Sequence, residues 1–81
     1  MKLYTLDNEF IKEVDILPKQ FTGFVGHPTG TKQWFVVGKR HRIGGPAVEY
    51  ASGTKWWFIN NKKVTKEEHD LLYSIMKLKR L

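Results

Sequence analysis

The densest run of chemically capable side chains is Lys39-Arg40-His41-Arg42, and Lys62-Lys63 repeats its basic start 23 residues later. Lysine and arginine on a turn can follow a phosphate backbone without reading bases, and arginine can also grip one phosphate through two parallel hydrogen bonds. An exposed indole such as Trp56, preceded by Lys55, offers a base a stacking surface worth roughly 1–3 kcal/mol, a sequence-tolerant contact that suits single strands. Lys32, Lys39, Arg40, His41, Arg42, Lys55, Trp56, Lys62 and Lys63 are therefore the candidate nucleic-acid contacts. For Trp34 and Trp57 the expected role is core packing, because aromatic rings normally find their value in burial.

Catalysis is the rival use of these residues. His41, with His27 or Tyr50 as a second acid/base group and Lys39 or Arg42 stabilising a phosphorane, has the composition of a metal-free ribonuclease. Nothing in the spacing specifies their approach, so no catalytic residue is assigned and the chain is read as non-enzymatic. His27, His41 and His69 are 14 and 28 residues apart and there is no cysteine, so neither a metal nor another cofactor is expected. Ser52 and Ser74 sit in no nucleophile motif, and the glycines match neither phosphate-loop fingerprint.

The placement of charge supports a polyanionic partner. The net charge is +6; residues 1–18 carry −2, residues 19–63 carry +7 with Glu49 as their lone acid, and residues 64–81 carry +1. Such concentration favours nucleic acid or an acidic protein surface, and argues against a mimic of DNA's negative charge. The bland alternative is that the lysines only keep a small domain in solution. With 81 residues, 41% hydrophobic and eleven aromatic, the chain should fold around one core without disulfides. Its longest apolar runs, Trp34 to Val37 and Trp56 to Ile59, fall far short of the roughly 18 residues that span a bilayer, and the first residues lack the apolar stretch of a secretory signal. No membrane contact and a cytoplasmic location are expected.

A repeat supplies the elements that position these groups. Gly30-Thr31-Lys32-Gln33-Trp34-Phe35-Val36-Val37-Gly38-Lys39-Arg40 aligns without a gap on Gly53-Thr54-Lys55-Trp56-Trp57-Phe58-Ile59-Asn60-Asn61-Lys62-Lys63. Each unit has the grammar of a β-hairpin, with Gly30 and Gly53 as positive-φ turn residues, and Gly38 and Asn60-Asn61 serving a second turn. An eroded third copy places Tyr4, Asp7, Asn8 and Ile11 at the positions of His27, Gly30, Thr31 and Trp34, which favours a hairpin over a helix in the first eighteen residues. Alternation sets Trp34, Val36, Trp57 and Ile59 apart from Phe35, Trp56 and Phe58, so both sheet faces carry apolar groups. Thr65-Lys66-Glu67-Glu68 has capping-box spacing and predicts a helix over about 65–79, whose Leu71, Leu72, Ile75, Met76 and Leu78 are expected to pack as core over the sheet. Acidic residues open this helix and Lys77, Lys79 and Arg80 close it, as its dipole prefers.

Residues 26–65, about half the chain, resemble the short tryptophan-rich, MORN-like β-hairpin repeats of bacteriophage and large-virus proteins. Gly38-Lys39-Arg40-His41-Arg42 and Gly45-Pro46-Ala47-Val48-Glu49-Tyr50 carry the likeness; Asn61-Lys62-Lys63-Val64-Thr65 has lost its Gly and His-Arg, as end repeats commonly do. The resemblance implies a hairpin-stack fold and a binding role without enzyme activity. The chain is also similar, in size and basicity, to early phage proteins that inhibit host defence factors, including RNA-binding inhibitors of toxin ribonucleases, which implies host cytoplasm as its location.

The expectation is thus an α+β fold of one domain, residues 1–81: a small antiparallel sheet of 23-residue hairpin repeats, with a degenerate repeat in 1–20, two repeats in 24–64 and a C-terminal helix in 65–81. The expected function is non-catalytic binding of nucleic acid, RNA or single strands ahead of duplex DNA, with possible inhibition of a host protein. The alternative is a module that docks an acidic protein partner without nucleic acid, and exposed edge strands offer pairing with a second copy.

Overall fold

Three hairpins closed by the same turn chemistry build the sheet. The computed structural model describes residues 1–79, and Arg80, assigned to the last helical turn by the sequence, lies outside them. Strands β1 (Lys2–Tyr4) and β2 (Phe10–Glu13), β3 (Gly23–Gly26) and β4 (Lys32–Val36), and β6 (Val48–Glu49) and β7 (Lys55–Ile59) are the three pairs. Two shorter strands, β5 (Lys39–Arg40) and β8 (Lys62–Val64), fold back on β4 and β7, and α1 (Lys66–Lys79) ends the described chain. The sheet is antiparallel and open, in the order β2-β1-β3-β4-β6-β7-β8, with β5 beside β4 off that path. The architecture is α+β. Among the described residues no helix is long and apolar enough to cross a membrane.

The first turn of each unit is a three-residue loop. His27 N–H donates to Thr31 O while Gly30 N–H donates to His27 O; Tyr50, Thr54 and Gly53 repeat the pattern, each bond at 2.9 Å. Gly30 and Gly53 have φ of 92° and 96°, the left-handed geometry that such loops require. The N-terminal hairpin uses the same bonds at Thr5, Asn8 and Glu9, with Asn8 at φ 71°. Its offset from the next turn is therefore 22 residues rather than 23, with Asn8 and not Asp7 in the glycine position. A register shift between Leu3 and Tyr4 leaves Ile11 as the extra residue on β2 and absorbs the difference, which an ungapped alignment cannot represent.

The second turn also repeats: Val37 and Gly38 have φ of 47° and 77°, and Asn60 and Asn61 have φ of 47° and 71°. Both positions of this tight turn need positive φ, for which asparagine and glycine are suited and β-branched valine is not. Gly38 is further constrained, because a Cβ there would lie 2.0 Å from the Lys19 carbonyl oxygen.

Both core clusters lie on the face that carries Phe35. Leu3, Val25 and Phe35 are covered by Val14, Leu17 and Phe21 from the segment crossing between β2 and β3. That segment is tied to the β4–β5 turn, since Gly38 N–H donates to Phe21 O and Val37 N–H to Thr22 Oγ1. The second cluster is Ala47, Val48 and Phe58 with Tyr50 and Trp56 against it. Emptying the Phe35 or Phe58 position would cost roughly 3–5 kcal/mol, a large part of the stability of so small a domain.

The helix forms where its cap predicts: Glu68 N–H donates to Thr65 Oγ1 at 3.0 Å and Thr65 N–H to Glu68 Oε1 at 3.3 Å. Its packing differs from expectation. Among the described residues of α1 the fully buried one is His69, which meets the Arg42 carbonyl oxygen, while Leu71, Leu72, Ile75, Met76 and Leu78 all remain exposed. Apolar residues occur on more than one side of α1, and the side that meets the fold is the one carrying His69 and the half-buried Tyr73.

Replacing Val37 with Asn should relieve the strained turn and raise stability by about 1 kcal/mol, a gain in Tm of roughly 4–8 °C. Gly38→Ala, by contrast, should lower stability by well over about 1 kcal/mol, since both its φ and the Lys19 carbonyl oppose a side chain. Thermal melts of the two variants beside the parent check both.

Candidate nucleic-acid interface

The two basic tips meet. Asn61 N–H donates to Arg40 O at 2.8 Å, Arg40 Nε–H returns a bond to Asn61 Oδ1 at 3.2 Å, and Asn60 N–H donates to His41 Nδ1 at 3.0 Å. The β7–β8 turn is thereby seated on β5, and the two equivalent turns share one rim of the sheet. Asn60 and Asn61 are both left-handed, and in that conformation both give their N–H groups to the preceding unit.

Register then decides which side each charge faces. Paired residues in antiparallel strands share a face, so Lys32, Glu49 and Lys55 form one row across β4, β6 and β7 on the side that carries Trp34. Lys39, opposite Val36, and Lys62, opposite Ile59, join them. The Arg42 guanidinium lies 3.8 Å from the Trp34 ring centroid, bonds Glu49 Oε2 at 3.0 Å and Pro46 O at 3.1 Å, and is held to this face. His41 lines a groove there with Trp34 and Val36. Six of the nine candidate residues therefore share the Trp34 face. Arg40, Trp56 and Lys63 are on the other: Arg40 lies over Phe58 at 4.4 Å and Lys63 Nζ sits 4.0 Å above the Trp56 ring, whose edge contact is Tyr50. The Trp56 ring is half-buried in the second core cluster and carries a lysine over its face, so stacking a base there requires Lys63 to move aside.

Charge on the Trp34 face is unevenly spent. Glu49 is bonded by Arg42 and flanked across the strands by Lys32 and Lys55, which places the lone acid of the central segment among three cations. Among the described residues Lys39 and Lys62 have no acidic partner within 4.0 Å. They are exposed and free to meet an anion. The same face carries a groove of about 260 Å³ lined by Leu6, Trp34, Val36, His41, Arg42 and Ile43. Leu6, Val36 and Ile43 were not legible as site residues: Leu6 arrives from the N-terminal turn, and only Ile43, directly after the basic run, carried a positional hint.

His41 contributes a defined hydrogen-bond donor. Because Asn60 N–H donates to Nδ1, the neutral ring carries its proton on Nε2. Burial, and after it the nearby His69, hold the His41 imidazole below its ordinary value of 6.5, so it is neutral at pH 7. The groove thus combines apolar walls, a cationic plane and an N–H donor. The partners imagined for His41 in acid/base catalysis lie elsewhere: Tyr50 shares the other face with Trp56, and His27 bonds Gln33 on that face, at the opposite end of β4. Among the described residues no three His, Asp or Glu side chains converge as metal ligands. A larger cleft, about 440 Å³, is lined by Met1, Lys2, Tyr4, Glu13, Gly26, His27 and Pro28 and holds no residue of the candidate interface.

Comparison of the chain with protein-family models, with curated proteins and with solved structures gave no match in any of the three.

The His41 geometry has a pH consequence. A histidine whose folded pKa is depressed is protonated first in the unfolded chain, so its contribution to stability is full above pH 6.5 and is lost as pH falls toward the folded value. Nitrogen-15 NMR at pH 7 should show His41 as the Nε2–H tautomer. Unfolding free energies measured from pH 7.5 to 5 should decline, with His41→Gln removing part of that slope; a δ-tautomer or an unchanged slope would contradict the assignment.

Proposed function

We propose that this protein binds single-stranded nucleic acid, RNA in preference, along the Trp34 face, and that it does so without catalysis. Lys39 and Lys62, with Lys32 and Lys55 behind them, follow the phosphate backbone, and one unstacked base enters the groove between Leu6 and Ile43. There the Arg42 guanidinium, held 3.8 Å from the Trp34 ring centroid, offers a stacking plane, and His41 Nε2–H meets an acceptor on the base edge. The observation that supports this reading is the common face: six of the nine candidate residues share the Trp34 side of the sheet, two of them, His41 and Arg42, line its groove, and a single acid stands among them. Duplex DNA fits less well, because α1 carries three basic and three acidic residues over 66–79 and supplies no cationic recognition surface. The MORN-like resemblance extends the proposal to a phage-encoded protein that uses the bound RNA, or the same basic face, against a host defence or toxin factor.

A second reading has its own support. The exposed leucines of α1 favour a protein partner, and a binder that works through them alone needs no polyanion.

Salt dependence separates the two. Binding of a single-stranded oligoribonucleotide should weaken steeply with ionic strength, and the Lys39→Gln, Lys62→Gln double variant should lower the log–log salt slope by about 1.4, that is about 0.7 for each phosphate no longer neutralised. Lys63→Gln, on the other face, should leave the slope unchanged. Absence of binding at low salt would remove the proposal and promote the protein-partner reading; equal loss from all three substitutions would show diffuse attraction without a defined face.

A further inference from the structure

A row of aromatic rings crosses the Trp34 face beside the lysines. Tyr4 is paired with Phe24 and Phe24 with Trp34, and their rings touch in series. Tyr4 stacks on Phe24 with centroids 4.6 Å and planes 9° apart, and Phe24 meets Trp34 at 5.4 Å. Phe10 carries the row to the edge of the sheet, its ring meeting that of Tyr4 edge-on at 5.8 Å. Phe24 and Trp34 are buried, as packing would have them. Phe10 is 59% exposed, and Tyr4 beside it is half-buried.

Two residues away along each strand, roughly 7 Å, register sets a parallel row: Lys2, Gly26, Lys32, Glu49 and Lys55. Lys2 thus prolongs the lysines of this face by two strand spacings, roughly 10 Å, beyond Lys32. It is exposed and, among the described residues, has no acidic partner within 4.0 Å, although Glu13 stands opposite it on β2. Gly26, between the two lysines, has no side chain to fill the space, and it lines the cleft of about 440 Å³ together with Lys2 and Tyr4. A single exposed ring is ordinary on a protein surface. Here the ring ends an aromatic row, beside a cleft and in step with a row of cations, which is the pairing of base surface and phosphate contact that single strands use. Asp7 and Glu9 in the hairpin turn and Glu13 on β2 are exposed acids that repel a phosphate, so the backbone of a bound strand stops at Lys2.

We propose that Phe10, Tyr4 and Lys2 form a second nucleotide site, so that one single strand crosses the Trp34 face from the Arg42 groove to the N-terminal hairpin. The site rests on the reading of this face as a nucleic-acid surface and gives that surface its far end. The terminal base packs on the exposed ring of Phe10 beside Tyr4, and Lys2 and Lys32 hold the phosphates that lead back to the groove. Stacking of this kind is tolerant of sequence, so the second site adds affinity and a preference for longer strands without adding base preference.

Titration with a single-stranded oligoribonucleotide of about ten nucleotides, within the site sizes of single-strand binders, tests the site when followed by NMR. In the parent, the ring protons of Phe10 and Tyr4 should shift on binding. Phe10→Ser should weaken binding at least about fivefold, the low end for one lost stack. Its salt slope and Tm should stay near the parent, since the ring is already exposed. Lys2→Gln should lower the log–log salt slope by about 0.7. Lys12→Gln removes the same charge from the same hairpin, but Lys12 pairs with Leu3 on the opposite face, and the slope should not change. An oligonucleotide that binds without moving these rings, or is indifferent to Phe10→Ser, overturns the second site and leaves the groove standing. Equal loss of slope from Lys2→Gln and Lys12→Gln overturns it as well, by showing diffuse attraction. No binding by the parent at low salt removes the reading of the whole face, and the second site with it.

Discussion

The seam between the second and third hairpins governs the rest of the molecule. At that seam Asn60 and Asn61 give their N–H groups to His41 Nδ1 and Arg40 O, and β6 shares the same edge of β4 that β5 occupies further along. The bonds exist because asparagine tolerates left-handed backbone at two successive positions. Once they form, the third unit cannot slide relative to the second, and a slip of one residue would send every lysine to the other face. Tautomer, groove and lysine rows all follow from this one registration.

Basic charge in this fold serves two different ends. On the Phe35 face, Arg40 and Lys63 lie over Phe58 and Trp56, where their aliphatic stems and cationic heads shield aromatic rings. These are structural roles that happen to be charged. On the Trp34 face, Arg42 is likewise committed, to Glu49, Pro46 and Trp34, whereas Lys39 and Lys62 are unspent. A count of positive charges along the chain overstates the surface available to an anion, and register is what corrects it.

His69 joins the helix to this arrangement. Among the described residues of α1 it alone is fully buried, and its imidazole reaches the Arg42 carbonyl, so the helix is anchored on the backbone of the same segment whose side chains line the groove. Among the described residues its other ring nitrogen has no hydrogen-bond partner, and it lies 3.5 Å from Asp70 Oδ1. By using a polar anchor in place of a leucine cluster, the fold leaves the apolar stripe of α1 unused by its own core.

Local chemistry wrote a good deal of this protein into its sequence. Gly30, Gly53, Gly38 and the Asn60-Asn61 pair marked their turns because few residues accept positive φ, and Thr65 with Glu68 marked the start of α1 because the cap closes within four residues. The repeat predicted that Lys39 and Lys62 would be equivalent, and alternation separated Trp56 from Trp57. Tertiary structure decided what depends on contacts between units. Whether Arg40 faces a phosphate or Phe58, whether Trp56 is open or roofed by Lys63, and which side of α1 meets the sheet are all set by neighbours distant in sequence. Periodicity places residues on a common stripe, but burial depends on where another element leaves room.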